Sequence, residues 1–184
     1  KPLVSKEFYN FKKNENINEK FCFLIFGGSQ GAKFFDEFIK DSFVDLSKKY
    51  SIKVIQQTSS NNIENLENFY NKNNLENKIF DFEKNLVNLI NMADLCITRA
   101  GATSLAEISI MNKPFLAIPL PTSKDNHQME NAKFYEKNKC CWILDQKSMN
   151  KKNFINLLSG ILDDKSEYIN KKEYLKKLNY QNSW

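Results

Sequence analysis

The stretch Phe21-Cys22-Phe23-Leu24-Ile25-Phe26-Gly27-Gly28-Ser29-Gln30-Gly31-Ala32 decides how this chain is read. Six consecutive apolar residues are too few for a helix and show no alternation, so they read as a strand covered on both faces. The glycines that follow let the backbone turn sharply and come close to a neighbour. Beyond them Phe34, Phe35, Phe38, Ile39, Phe43 and Leu46 recur near every 3.6 residues, which predicts a helix over Gly31–Lys49. The sequence is therefore strand, tight turn, helix. The amino end of such a helix offers unpaired N–H groups and a positive dipole, which suits a phosphate.

The same unit repeats along the chain. Strands are predicted at Ile52–Gln56, Lys78–Phe82, Asp94–Thr98, Phe115–Ile118 and Cys140–Leu144. Between and after them, helices are predicted at Asn61–Lys72, Asn85–Met92, Thr103–Met111, Asn126–Asn138, Lys151–Leu162 and Ser166–Leu178. Ser60 or Asn61 is the expected cap of the second of the chain's helices, and Asp125 or Asn126 that of the one after Pro121. Apolar strands separated by helices argue an α/β fold: a Rossmann-like, doubly wound parallel sheet of about six strands. Residues 1–18 read as a linker or domain start, 19–165 as the domain, and 166–184 as a carboxyl-terminal helix and tail. Within the first of these, Lys12–Lys20 is polar and asparagine-rich and reads as a loop.

Composition narrows the function classes. The chain has 184 residues, 41% hydrophobic and 27% charged, with a formal net charge of +5. It suits one domain, and no apolar run approaches the roughly 20 residues that cross a bilayer. It begins at Lys1 rather than Met, which reads as a fragment. The positive charge comes from 26 lysines and the single Arg99, spread among acids over the whole length. That pattern reads as solvated helix faces and not as a nucleic-acid stripe. Cys22, Cys96, Cys140 and Cys141 form no CxxC pair and read as buried, reduced thiols. With His127 as the only histidine, a Cys/His metal site lacks ligands at useful spacing, and no metal or other cofactor is expected.

In a wound sheet, ligands bind beyond the carboxyl ends of the strands. Three loops there carry unusual chemistry. Gly27-Gly28-Ser29-Gln30-Gly31 matches neither GxGxxG nor the P-loop, and no acid ends the second strand, which counts against NAD. It reads as a diphosphate cradle or as a ligand-free tight turn. Thr98-Arg99-Ala100-Gly101-Ala102-Thr103-Ser104 aims a second helix amino end at the same rim. Glu107 follows one turn in, either to accept hydrogen bonds from sugar hydroxyls or to sit favourably in the helix dipole. Arg99 either binds phosphate or holds its loop by a buried ion pair; the loop role is the preferred reading. After Pro119-Leu120-Pro121, His127 and Gln128 project from a helix's first turn. Side-chain amides suit hydroxyl-rich ligands because they donate and accept, while a lone histidine there reads equally as a capping residue. Together the loops fit a nucleotide sugar.

Three motifs also carry a likeness. GGSQGA at Gly27–Ala32, TRAGATSLAEI at Thr98–Ile108 and PLPTSKDNHQMENA at Pro119–Ala132 resemble the carboxyl-terminal domain of the MurG family, in order and at matching spacing over roughly residues 15–145. That resemblance implies the donor-binding half of a GT-B glycosyltransferase of peptidoglycan synthesis. Its donor would be UDP-N-acetylglucosamine. Its reaction would move GlcNAc, with inversion, to the muramoyl C4 hydroxyl of lipid I, giving lipid II and UDP. Gly28, Ser29 and Gln30 would meet the diphosphate and sugar. The N–H groups of Ala102, Thr103 and Ser104 would hold the phosphate nearer the nucleoside, and Glu107 the ribose. His127 and Gln128 would reach the GlcNAc hydroxyls, and the backbone at Phe82 and Glu83 the uracil, with Leu86 bounding that pocket. The likeness further implies an amino-terminal acceptor half, on this or another chain, that supplies the general base and the contact with lipid I. It also implies a peripheral place on the cytoplasmic face of the plasma membrane, and Lys1-Pro2-Leu3-Val4 as the connector between halves.

The sequence departs from the family in lacking an arginine before the first strand; Lys20 stands nearest, as a point charge without arginine's fork. Competing readings are a UDP-GlcNAc 2-epimerase-like enzyme, a UDP-sugar-binding module without catalysis, and a Rossmann oxidoreductase.

Overall fold

The computed structural model describes residues 4–11 and 19–178, the side chains of 29–32 excepted. Most of the expected connector and of the asparagine-rich loop lies outside those residues.

Six parallel strands, β1 (Phe21–Phe26), β2 (Ile52–Gln57), β3 (Glu76–Phe80), β4 (Leu95–Thr98), β5 (Phe115–Ala117) and β6 (Cys141–Ile143), form one sheet in the order β3-β2-β1-β4-β5-β6. The helices are α1 (Lys6–Asn10), α2 (Gly28–Phe38), α3 (Lys40–Ser47), α4 (Ile63–Lys72), α5 (Leu86–Met92), α6 (Ala102–Ile110), α7 (His127–Lys137), α8 (Lys151–Asp163) and α9 (Lys165–Leu178). The Rossmann-like expectation holds.

The strand order reverses between β1 and β4, and this follows from where the helices pack. Alternate residues of β1 face opposite sides: Cys22, Leu24 and Phe26 join one core, Phe23 and Ile25 the other. The first core holds Phe8 of α1, Ile90 of α5, Leu105 and Ile108 of α6, Tyr135 of α7 and Leu175 of α9. The second holds Phe35 of α2, Phe43 of α3, Tyr70 of α4 and Phe154 and Leu158 of α8. Burying apolar surface on both faces stabilises the sheet by about 25 cal/mol per Å². It also sends the helices after β1 and β4 to opposite sides, the arrangement that in wound sheets puts the ligand crevice at the switch point.

Three local expectations are corrected. The helix predicted over Gly31–Lys49 begins three residues earlier and is interrupted at Ile39, whose φ of −104° departs from the helical value. The third strand lies two residues earlier than predicted. It is an edge strand, so Glu76, Asn77 and Lys78 can pair with β2 while facing water. Phe82, which its apolarity placed in that strand, has left the sheet and is 77% exposed. Helix α1 was not anticipated, because its sequence KEFYN buries only Phe8.

The expected caps are also replaced. Ser60 and Asn61 lie in the 3-10 turn Ser60–Asn62 before α4, so the cap position falls to Asn62, whose amide turns to Asp36 and Thr58 and leaves the helix without a side-chain cap. No side chain caps α7, where Asp125 and Asn126 adopt left-handed φ values of 49° and 56°.

Candidate functional site

The register places four loops on one rim. Phe26 pairs with Thr98, Thr98 with Ala117, and Gln57 with Phe80. The turns at Gly27, Arg99 and Ile118, and the loop after Phe80, therefore leave the sheet side by side.

The turn after β1 is set by glycine and by a neighbour. Gly28 has φ +67°, a value that other residues rarely adopt, and a Cβ there would meet nothing within 4 Å. Gly27 and Gly28 both donate their N–H groups to Oε1 of Gln57, at 3.2 and 3.1 Å. The Gly28 N–H is thereby engaged within the protein. Ser29 and Gln30 lie in the first turn of α2, with their backbone at its open amino end. Lys20 stands at the opposite end of β1 and pairs with Glu76 at 2.8 Å, so it does not substitute for the family's arginine at this rim.

The turn after β4 is held by Arg99. Its guanidinium is buried, donates through Nη1 to the Ile118 carbonyl at 3.0 Å and to Gln146 Oε1 at 2.7 Å, and stacks on Phe34. Burial alone pulls its pKa down to about 10, which leaves it charged at neutral pH. The preferred loop role stands, but among the described residues the partners are neutral and not the expected ion pair. Ala102 and Thr103 are exposed and Ser104 half-buried at the amino end of α6. Glu107, one turn on, is half-buried, and its carboxylate has no hydrogen bond to another described residue. Desolvation, and secondarily the Glu7 carboxylate on α1, push its carboxyl up to about 7. A carboxylate held out of water without donors is poised for hydroxyl donors from outside.

The loop after β5 is fastened to α7. Gln128 accepts the Leu120 N–H at 2.9 Å through Oε1, which leaves its Nε2 donor. Asn131 donates to the Ala100 carbonyl at 3.0 Å, tying the same helix to the turn after β4. His127 is exposed, and its Nδ1 contacts the Lys124 carbonyl. Against a carbonyl that nitrogen must donate, so in the neutral ring Nε2 is the acceptor. The paired left-handed residues before it store strain of about 1–3 kcal/mol each, the kind of distortion that persists where a loop is over-determined. After β3, Glu83 accepts the Asn85 N–H at 2.9 Å through Oε1, which turns its side chain toward the start of α5.

Gln57 and Asn131 were not singled out from sequence. The absence of an acid at the end of β2 is the one visible signal for Gln57. Asn131 sits inside a quoted motif, one turn beyond Gln128.

Two cavities lie away from the rim. One of about 470 Å³ separates α2 from α4, lined by Lys33, Asp36, Lys40, Asn62, Asn65 and Phe69 among others. Another of about 350 Å³ sits at the amino edge of the sheet beside Asp94 and Tyr168. The helix ends that suit a phosphate are at neither. All four cysteines are free and buried, and burial pushes the Cys140 thiol up to about 11 and Cys22 to about 12.

Residues 22–182 match the sequence pattern of the glycosyltransferase family 28 C-terminal domain. The chain belongs to that family. This family 28 domain is 46% identical to the UDP-N-acetylglucosamine--N-acetylmuramyl-(pentapeptide) pyrophosphoryl-undecaprenol N-acetylglucosamine transferase of Pelagibacter ubique, over 99% of this chain and 51% of that one. The protein of the same name from Rickettsia prowazekii is 36% identical over 89% of this chain and 42% of its own length. The family 28 domain thus spans about half the length of the curated relatives it matches. Acinetobacter baumannii MurG superposes with a TM-score of 0.78 at 25% identity, over 92% of this chain and 48% of that one. UDP-GlcNAc 2-epimerase of Neisseria meningitidis shares the fold alone, with a TM-score of 0.62 at 14% identity, over 90% and 40% of the two chains. The resemblance read from three motifs is borne out, and it extends beyond residue 145.

Proposed function

We propose that the rim crevice binds UDP-N-acetylglucosamine. In this reading the chain is the donor half of an inverting GT-B transferase that moves GlcNAc to lipid I, giving lipid II and UDP. The observation that carries it is the convergence of two helix amino ends, from opposite faces of the sheet, beside the half-buried Glu107, whose carboxylate has no partner among the described residues. The free N–H groups at the start of α6 hold the phosphate nearer the nucleoside. The first turn of α2, with Ser29 and Gln30, takes the phosphate that leaves with UDP. Donors aimed at charge that develops as the glycosidic bond breaks lower the barrier. Glu107 takes the ribose hydroxyls, Gln128 Nε2 and His127 Nε2 the sugar hydroxyls, and the backbone at Phe82 and Glu83 the uracil.

In this reading the general base and the lipid I site belong to an amino-terminal half, on the same or a separate polypeptide. The open rim is one wall of the cleft between the halves. Among the described residues no helix is long and apolar enough to cross a membrane. In this reading contact with the cytoplasmic face of the plasma membrane is peripheral and made through the other half.

Calorimetric titration of the chain with UDP and UDP-GlcNAc tests the reading. Saturable binding of both is expected. Glu107→Ala weakens both by about 1–3 kcal/mol, the cost of losing charged hydrogen bonds. Gln128→Ala spares UDP and weakens UDP-GlcNAc. No binding of either ligand at millimolar concentration defeats the proposal.

A further inference from the structure

Gln57 ends β2, between the strand that leads into the glycine turn and the strand that leads into the Phe82 loop. Its side-chain amide touches both. Oε1 accepts the N–H groups of Gly27 and Gly28, and Nε2 donates to the Asp81 carbonyl at 2.9 Å. The β2 backbone follows the same direction, since the Thr58 N–H donates to the Phe80 carbonyl at 2.8 Å. One planar amide therefore spans two loops that have no helix or strand in common.

We propose that Gln57 is a positioning residue that sets the diphosphate turn and the nucleobase loop as one unit. This rests on the donor-site reading above. Three features support it. A helix leaves about four N–H groups without internal partners at its amino end, and Gln57 takes those of Gly27 and Gly28. The groups left for a ligand are then the next ones, at 29 and 30, and their direction is fixed by a bracket at the base of the turn. Gly28 sits at positive φ, where glycine's own preference is weak, so an external acceptor selects one conformation. Finally, the chemistry demands an amide. A carboxylate at 57 would satisfy the glycines but could not donate to Asp81, and an apolar side chain could do neither. The missing acid at the end of β2 is thus explained by a different task at that position.

A ligand that touches only the Phe82 loop and α6 depends less on the bracket, because the Thr58 N–H still holds that loop at Phe80 when the Gln57 amide is lost. A ligand that also reaches α2 depends on it more, because the bracket removes the freedom it would otherwise have to freeze out on binding. UMP is of the first kind and UDP of the second. The experiment is calorimetric titration of UMP and UDP with the unsubstituted chain and with Gln57→Met and Gln57→Asn. Methionine keeps the bulk without the hydrogen bonds, and asparagine keeps the amide but falls one carbon short. Amide hydrogen exchange at Gly27 and Gly28 reports whether the bracket is lost, and survival of either variant as a folded domain suffices.

The expected result is a clear preference of the unsubstituted chain for UDP over UMP. Both variants lose most of that preference, with UDP weakened by about tenfold and UMP by less than about threefold, and the two glycine amides exchange faster. A folded variant whose glycine amides lose protection but whose UDP preference is unchanged overturns the positioning role. An unsubstituted chain that binds UDP no better than UMP overturns the donor-site reading itself, and is told apart because it needs no variant.

Discussion

The guanidinium of Arg99 lies 4.5 Å from the centre of the Phe34 ring and 5.1 Å from that of Phe35. The turn after β4 therefore rests on the helix that follows β1, across the switch point. Arginine is suited to this place because its plane stacks while its edge donates. Lysine offers a point charge on a flexible stem.

Arg99→Lys should consequently lower the stability of the domain by about 2–3 kcal/mol, from the lost stacking and the weakened bonds to Ile118 and Gln146. Denaturant unfolding measures it. Because the partners are neutral, the loss should be the same at low and high salt; a loss that shrinks as salt rises would show an ion pair at work.

Glu107 couples the site to pH. Its folded pKa, about 7, is above the ordinary 4.5. The fold therefore favours the protonated carboxyl. Its contribution to stability is fully present below about 4.5 and is lost as pH rises through about 7. Ribose hydroxyls favour the ionised form, so binding runs the other way. UDP-GlcNAc, which has no phosphate titrating in this range, should bind more weakly as pH falls below about 7, approaching about tenfold per unit. Glu107→Gln should flatten that dependence. Calorimetry from pH 5.5 to 8.5 on both proteins decides it, and an affinity independent of pH in the unsubstituted chain would remove Glu107 from the ribose.

Asp36 anchors the other flank of α2. Its carboxylate accepts from Gln56 at 2.9 Å, Thr58 at 2.5 Å and Asn62 at 3.1 Å, and Tyr70 closes the network through Gln56 at 2.7 Å. Burial raises its pKa in spite of those donors. Asp36→Ala leaves three donors without their acceptor and should cost about 2–4 kcal/mol. Combined with Thr58→Val, the loss should fall short of the sum of the single losses, since one bond is removed twice. Additive losses would show that the bond contributes nothing.

The fold was legible where one force dominates. β1 is bounded as predicted because polar Lys20 and Gly27 flank six apolar residues with no competing pattern. β3 was misplaced because an edge strand tolerates polar residues, so its hydrophobicity is no guide to its ends. The rim was legible as a set of loops, since glycines and prolines mark turns in the sequence itself. Gln57 and Asn131 were not, because their bonds to Gly27, Gly28 and Ala100 span separations that only the sheet order closes. Arg99 was assigned the correct task for an incomplete reason: a sequence shows a charge but not whether a carboxylate or a carbonyl faces it.

Helix α1, packed on α6, brings Glu7 near enough to Glu107 to raise its proton affinity. The working acidity of the pocket is thus tuned partly from a polar segment upstream of the first strand, one that carries none of the recognisable signatures. Reversing the charge at Glu7 would leave every signature intact and shift the conditions under which the pocket is armed. Orthologues with identical rims but different upstream helices would then differ in the acidity they tolerate.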